Sequence, residues 1–260
     1  MSEELLVLQS VKNGVITIEL NRPDARNALS TPLREQLAAA INAADADPDV
    51  RVVLIVGQDE QFAAGADIKL MSEVDLVGAM DMARGRSIFQ TVAECTKPVV
   101  VGVSGFALGA GFELALAADI IVASESAQFG LPEVTLGIIP GGGGTQRLAR
   151  IVGKQKAMEL VLTGMRIGSR YAEELGIVNV VAGRKENWRE KASDLAEVIA
   201  KRPPVAVRLA KQAVNAAFED GMTGGLAYER RLFELAMATD DRVEGMTAFI
   251  DKRPPEFKGQ

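Results

Sequence analysis

The feature that most constrains the fold is the run Arg-Val-Val-Leu-Ile-Val at residues 51–56, which is apolar at nearly every position. A strand of this kind suits burial on both faces, as in a parallel sheet that helices cover on either side. Residues 15–20 alternate instead, with Ile16, Ile18 and Leu20 on one face, and predict a strand with one polar face.

Strand patterns followed by helical patterns recur along the chain, and this order indicates an α/β protein. Pro203 and Pro204 mark a boundary, after which only helical patterns follow. The sequence therefore predicts an α/β body over residues 1–200 and a helical region over residues 201–260. The remaining predicted elements are a helix at 31–44, a strand at 98–103, a helix at 108–118, a strand at 119–123 and a strand at 177–181.

The composition excludes several kinds of active site. The 260 residues contain no histidine and one cysteine, Cys95, which rules out Ser-His-Asp and Cys-His catalytic sets and histidine-ligated metals. Proton transfer must then fall to carboxylates, Lys, Tyr, the thiol or water. The net charge of −6 argues against broad binding to nucleic acid. The acidic pair Glu3 and Glu4, with no apolar window of about 18 residues, predicts a cytoplasmic protein without a membrane segment.

Three glycine-rich segments, at residues 62–69, 102–113 and 129–145, are the candidate sites of chemistry. None has the spacing of a dinucleotide-binding loop or a P-loop. A helix that begins near Gly109 would expose unpaired backbone N–H groups, and a second N–H from the turn at Ala66 could complete an oxyanion hole. The alternative is that these glycines only permit tight turns and close packing.

Glu113 and Glu133 are the acids within these segments. A carboxylate among apolar neighbours has a raised pKa, which general acid–base chemistry near neutral pH requires. Each could equally be an acid favoured by a helix N-terminus. Arg26, Lys69 and Lys252 could contact an anionic part of a ligand, or could be solvated surface residues.

At these residues the chain resembles the crotonase family of enoyl-CoA hydratases and isomerases from end to end. The stretches that carry the resemblance are residues 21–29, 62–69, 105–115, 129–133, 140–147 and 249–259. The resemblance implies a spiral of ββα units with a helical C-terminal region that forms homotrimers, often paired into hexamers. It also implies an acyl-CoA substrate and no metal or organic cofactor, coenzyme A being part of the substrate.

The family's site residues map onto this chain by motif. The resemblance implies that the backbone N–H groups of Ala66 and Ala110 bind the thioester oxygen, although many members carry glycine at the Ala110 position. It implies that Glu113 activates water while Glu133 protonates C2 of a trans-2-enoyl-CoA. The implied acyl-CoA contacts are Arg26, Ala64, Ala66, Asp67, Ile68, Lys69, Ala110 and Lys252.

Three other functions remain open at this point. An isomerase of the same family would need only one strong base, whereas both glutamates are present here. An RNA-associated relative and a catalytically silent scaffold are the others.

Within the family the resemblance is to the dehydroadipyl-CoA hydratases of bacterial phenylacetate degradation, on residues 141–148 and 229–233, although these stretches also fit hydratases of fatty-acid β-oxidation. A dicarboxylic acyl chain would require a cation at the far end of its pocket, and the sequence identifies none.

Overall fold

Two sheets make up the body of the protein, which a computed structural model describes over residues 5–82 and 86–260; Glu3 and Glu4 lie outside this part. The larger sheet has the order β1-β2-β3-β5-β7-β10 and the smaller one β4-β6-β8-β9. The strands are β1 (Val7–Lys12), β2 (Val15–Leu20), β3 (Val52–Val56), β4 (Gln61–Ala63), β5 (Val99–Val103), β6 (Phe106–Leu108), β7 (Ile120–Ser124), β8 (Gln128–Gly130), β9 (Arg166–Gly168) and β10 (Val180–Ala182).

Helices surround the sheets and continue to residue 251. They are α1 (Thr31–Ala46), α2 (Ile68–Met71), α3 (Leu76–Met82), α4 (Ile88–Ala93), α5 (Ala110–Leu116), α6 (Gly144–Val152), α7 (Lys154–Thr163), α8 (Ser169–Glu174), α9 (Trp188–Ala200), α10 (Pro204–Ala216), α11 (Met222–Met237) and α12 (Asp240–Asp251). Glu133–Leu136 forms a short 3₁₀ helix.

The chain repeats one unit, in which a strand of the larger sheet is followed by a strand of the smaller sheet and then by a helix. The first two units are β3-β4-α2 and β5-β6-α5, and in the third β7 and β8 lead into the 3₁₀ helix and α6. Gly105 links β5 to β6 at a φ of +61°, and a Cβ there would lie 1.8 Å from the carbonyl oxygen of Glu60. The predicted α/β fold of ββα units is confirmed.

The double burial predicted for residues 51–56 is confirmed in β3. Val53 and Ile55 face the main core, which α1 and α5 also enter, whereas Val52, Leu54 and Val56 face a second core under α9. Because consecutive side chains of a strand point to opposite faces, the run had to be apolar throughout.

The strand predicted at 177–181 begins three residues further along the chain, as β10 (Val180–Ala182). The backbone N–H groups of Ile177 and Val178 both donate to the carbonyl oxygen of Ala172, which completes the end of α8. Both side chains are buried, so their apolar character reports core packing rather than sheet pairing.

The last three helices, α10 to α12, expose many apolar side chains. Phe249 is 85% exposed and Ile250 76% exposed, and the others include Val214, Met222, Leu226, Phe233 and Leu235. Lys211 of α10 is tied to the body by an ion pair with Asp119 at 2.7 Å. Within the described residues, no helix is long and apolar enough to cross a membrane.

Candidate active site

A cavity of about 880 Å³ contains both glutamates singled out from the sequence. Its walls include Ala64, Ala66, Ile68 and Ala110, which were also expected at the site. Three segments meet at the cavity: the loop after β4, the start of α5 in the second ββα unit, and the start of the 3₁₀ helix in the third. Its other walls include seven apolar side chains: Met71, Val74, Ala79, Phe89, Leu136, Ile138 and Ile139.

The loop that carries Ala66 is fixed by backbone hydrogen bonds on both sides. The N–H of Ala64 donates to the carbonyl oxygen of Arg26 at 3.0 Å, and the N–H of Leu29 donates to that of Gly65 at 2.8 Å. Asp67 then caps α2 and forms an ion pair with Arg22 at 3.0 Å. The N–H of Ala66 has no acceptor among the described residues.

A second free N–H belongs to Ala110, the first residue of α5. Gly109 precedes it at a φ of +50°, a conformation that suits glycine, and the chain enters the helix directly afterwards. The first-turn N–H groups of a helix have no partner within the helix, and that of Ala110 has none elsewhere in the described chain. The helical backbone of α5 also accepts alanine at this position.

Glu113 is 2% exposed and is held by the glycine-rich loop before α6. The N–H groups of Gly142 and Gly144 donate to its Oε1 at 2.7 and 2.8 Å. Its other oxygen has no partner among the described residues. Burial raises the pKa of Glu113, while these two hydrogen bonds and the charge of Arg147 oppose that rise.

Glu133 occupies the first position of the 3₁₀ helix and is in a different environment. Its Oε2 is buried without a hydrogen-bond partner in the described structure. Burial raises the pKa of Glu133 to about 7, and the nearby charge of Glu113 contributes to this rise. A Cβ added to Gly109 would lie 2.9 Å from Oε1 of Glu133, which places this carboxyl group beside the start of α5.

The two carboxyl groups differ in their hydrogen bonding, while burial raises the pKa of both. Two N–H donors oppose this rise at Glu113, whereas Oε2 of Glu133 is buried without a partner among the described residues. A carboxyl group whose ionised form is stabilised by donors suits a base, and one without such donors suits an acid.

Four residues that were expected to contact the ligand do not line this cavity: Arg26, Asp67, Lys69 and Lys252. Arg26 lies instead at an adjoining cavity of about 100 Å³, which shares Ala64 with the larger one and includes Arg166. Asp67 is engaged by Arg22. Lys69 is an exposed residue of α2, and Lys252 ends α12 at a φ of +55°.

The sequence gave no individual role to the two arginines of the cavity wall, Arg34 and Arg147. Arg147 donates from Nη1 to the carbonyl oxygen of Gly142 at 2.8 Å, within the loop that holds Glu113. It lies in a segment that the sequence did single out, but nothing in that pattern indicates this contact. No three Cys, Asp or Glu residues of the described chain are grouped so that they could hold a metal ion.

Comparisons with known proteins agree on one family. A model of the enoyl-CoA hydratase/isomerase family matches residues 10–260. A probable enoyl-CoA hydratase of Rhizobium meliloti is 48% identical over 98% of both chains. The 2,3-dehydroadipyl-CoA hydratase of Escherichia coli is 45% identical over 99% of both. The crystal structure of an enoyl-CoA hydratase from Bacillus anthracis superposes with a TM-score of 0.94 at 38% identity, covering 98% of this chain and 100% of that one.

Proposed function

The chain belongs to the enoyl-CoA hydratase/isomerase family and is an enoyl-CoA hydratase, a hydro-lyase, and we propose that Glu113 and Glu133 are its catalytic acid–base pair. The reaction adds water across the double bond of a trans-2-enoyl-CoA to give a 3-hydroxyacyl-CoA. The observation that carries the proposal is the presence, in one cavity, of two carboxyl groups in contrasting environments beside two free backbone N–H groups.

The thioester oxygen of the substrate accepts hydrogen bonds from the N–H groups of Ala66 and Ala110. As water attacks C3, negative charge moves through C2 to this oxygen, and fixed donors stabilise it there without reorganisation. Losing one such donor costs about 3–4 kcal/mol of transition-state stabilisation.

Glu113 takes the proton of the attacking water. Oε1 is occupied by Gly142 and Gly144, so its other oxygen is the one available to the water. Glu133 delivers its proton to C2, and the new C3–O and C2–H bonds replace the C2–C3 π bond. The proton gained by Glu113 and the one lost by Glu133 balance, and solvent exchange restores the starting state. No metal or organic cofactor takes part in this scheme.

The hydrogen bonds that hold Glu113 favour hydration over double-bond migration. An isomerase that moves a proton between C2 and C4 needs one strong base, and Glu133 alone could supply it. Two backbone donors on a single oxygen of Glu113 fix the orientation of this carboxylate, which supports a second base that activates water.

The test follows the loss of the conjugated thioester absorbance of crotonyl-CoA in the parent, Glu113→Gln and Glu133→Gln. Since general acid–base catalysis contributes about 10²- to 10⁴-fold, each variant should lose at least about 100-fold in kcat. An exposed glutamate, Glu174→Gln, is the matched control. Full activity in Glu113→Gln would contradict the assignment, and conversion of a 3-enoyl-CoA by that variant would favour the isomerase.

The coenzyme A moiety lies, in this proposal, along residues 64–69 toward Arg26. Arg26 and Arg166 line the small adjoining cavity, where two guanidinium groups favour phosphate oxygens. Ala64, Asp67, Ile68 and Lys69 belong to the same loop and helix, and Lys252 stays a further predicted contact. Arg26→Gln should raise KM with little change in kcat, because it removes binding remote from the reacting carbons.

The enzyme assembles, in this proposal, through α10 to α12 into a homotrimer, which can pair into a hexamer. Apolar side chains as exposed as Phe249 and Ile250 are costly in water and mark an interface. Light scattering after size-exclusion chromatography should give three or six times the 27.7 kDa chain mass. A monomer at micromolar concentration would contradict this assembly.

A further inference from the structure

Four consecutive glycines, residues 141–144, form a loop that we call the glycine loop. The N–H groups of Gly142 and Gly144 both donate to Oε1 of Glu113, at 2.7 and 2.8 Å. The carbonyl group of Gly142 lies between these two donors along the chain, and its oxygen accepts a hydrogen bond from Nη1 of Arg147 at 2.8 Å. Arg147 therefore fixes the peptide group that separates the two donors.

The side chain of Arg147 reaches this loop from the first turn of α6. Its backbone N–H donates to the carbonyl oxygen of Gly143 at 2.9 Å, and its guanidinium turns back over the start of the same helix. A Cβ added to Gly143 would overlap with Nη1 of Arg147, so the guanidinium needs the space that glycine leaves there. The glycine loop and the side chain of Arg147 thus pack as one unit.

Arg147 also brings a positive charge to Glu113. Burial lowers the pKa of its guanidinium, and Glu113 is the acid whose charge opposes that shift. In return, the charge of Arg147 opposes the rise that burial causes in the pKa of Glu113. A cation beside a carboxylate stabilises the ionised form, which is the form that a base requires.

Few other charged groups face Glu113. Its helix, α5, packs mainly against α4, α6, β4 and β6, and α4, β4 and β6 contain no charged residue. The 3₁₀ helix contributes Glu133, whose charge has the same sign as that of Glu113. Arg34, the other arginine of the cavity wall, is acted on by the charge of Asp67. Within the described chain, Arg147 is therefore the cation that compensates Glu113.

We propose that Arg147 is the positioning residue of the base: it orients the carboxylate of Glu113 through the glycine loop and keeps it charged, so that hydration extends to lower pH than a buried glutamate alone would allow. This inference rests on the proposed role of Glu113 as the base. Arg147 need not touch the substrate, because it acts through the carbonyl group of Gly142 and through its charge.

The experiment measures kcat and KM for crotonyl-CoA against pH in the parent and three variants. Arg147→Gln removes the charge and keeps an N–H donor, whereas Arg147→Lys keeps the charge. Arg150→Gln, at an exposed position of the same helix, is the matched control. The acid side of the kcat/KM profile reports the ionisation of the base in the free enzyme.

In Arg147→Gln the acid side of the profile should move to higher pH by at least about half a unit, because the carboxylate loses its cation. The kcat should fall about 10- to 100-fold with little change in KM, since a displacement of the base by about 1 Å costs up to about 100-fold in rate. Arg147→Lys should leave the acid side where the parent has it and should recover part of kcat. Arg150→Gln should match the parent.

An Arg147→Gln profile that loses rate equally at every pH would overturn the proposal, because it would leave Arg147 with a purely structural role. A shift of the acid side in Arg147→Lys would overturn it too, and this comparison does not depend on the folding of the neutral variant. Infrared titration of the Glu113 carboxyl group, assigned as the band absent from Glu113→Gln, separates this inference from the hydratase proposal. Glu113 should gain its proton at higher pH in Arg147→Gln than in the parent, even if another residue is the base. An unchanged titration would contradict the role of Arg147.

Discussion

The pKa of Glu133 makes the stability of the fold depend on pH in a defined direction. Folding raises this pKa from 4.5 to about 7, so the unfolded chain ionises Glu133 first as the pH rises. The contribution to stability is present below pH 4.5 and is lost as the pH rises to about 7. Glutamine resembles the protonated carboxyl group and does not ionise. We therefore expect Glu133→Gln to be more stable than the parent at pH 8.5 and no more stable at pH 4.

The magnitude follows from the size of the shift. At about 1.36 kcal/mol per pKa unit, a rise from 4.5 to about 7 corresponds to at most about 3.4 kcal/mol. Glu133 is only half-buried and the cavity admits water, so we expect about 1–2 kcal/mol after this discount.

Urea unfolding of the parent, Glu133→Gln and the exposed control Glu174→Gln at several pH values, at one protein concentration, measures the effect. The difference between Glu133→Gln and the parent should grow between pH 4.5 and 7 and then level off, whereas Glu174→Gln should show no such change. A difference that is constant with pH would refute the reasoning, because it would mean that Glu133 titrates alike in the folded and unfolded chain.

Three further outcomes follow from individual contacts. The kcat/KM for crotonyl-CoA should fall above about pH 7 as Glu133 loses its proton, and a profile that stays flat to pH 9 would contradict its role as the acid. Gly109→Ala should lower hydration at least about tenfold, and urea unfolding should show a loss of about 1–3 kcal/mol, because alanine is strained at φ +50° and its Cβ would press on Glu133. Lys211→Met should lower the free energy of unfolding by about 1–2 kcal/mol, because Asp119 loses its cation but is partly exposed and keeps the hydrogen bond from the N–H of Val99, and Asp119→Asn in the double variant should recover part of the loss.

The elements that the sequence predicted best are those whose apolar positions coincide with the buried positions. The apolar run of β3 is buried on both faces, and Leu33, Leu37 and Ile41 mark the buried side of α1. The three-residue strands β4, β6 and β8 were not predicted, because they pair only within the second sheet and are too short to show a period.

The candidate site was predictable where the chemistry needs a particular residue type. The carboxyl groups of Glu113 and Glu133 could be found in this way, as could the turns at Ala66 and Gly109. The contacts of Arg34 and Arg147 could not, because an arginine on a helix has the same sequence pattern whether it faces water or a cavity. Their placement depends on how α1 and α6 pack, which no local pattern records.

The contact between Phe89 and Gly142 links the shape of the acyl pocket to the position of Glu113. A Cβ on Gly142 would lie 2.4 Å from the ring of Phe89, and the N–H of the same glycine holds Glu113. Trimming the ring to admit a bulkier acyl chain would therefore also release the backbone that holds Glu113. Changes in chain preference at little cost to hydration should instead arise at Leu136, Ile138 and Ile139, whose exposed side chains line the same cavity without holding Glu113.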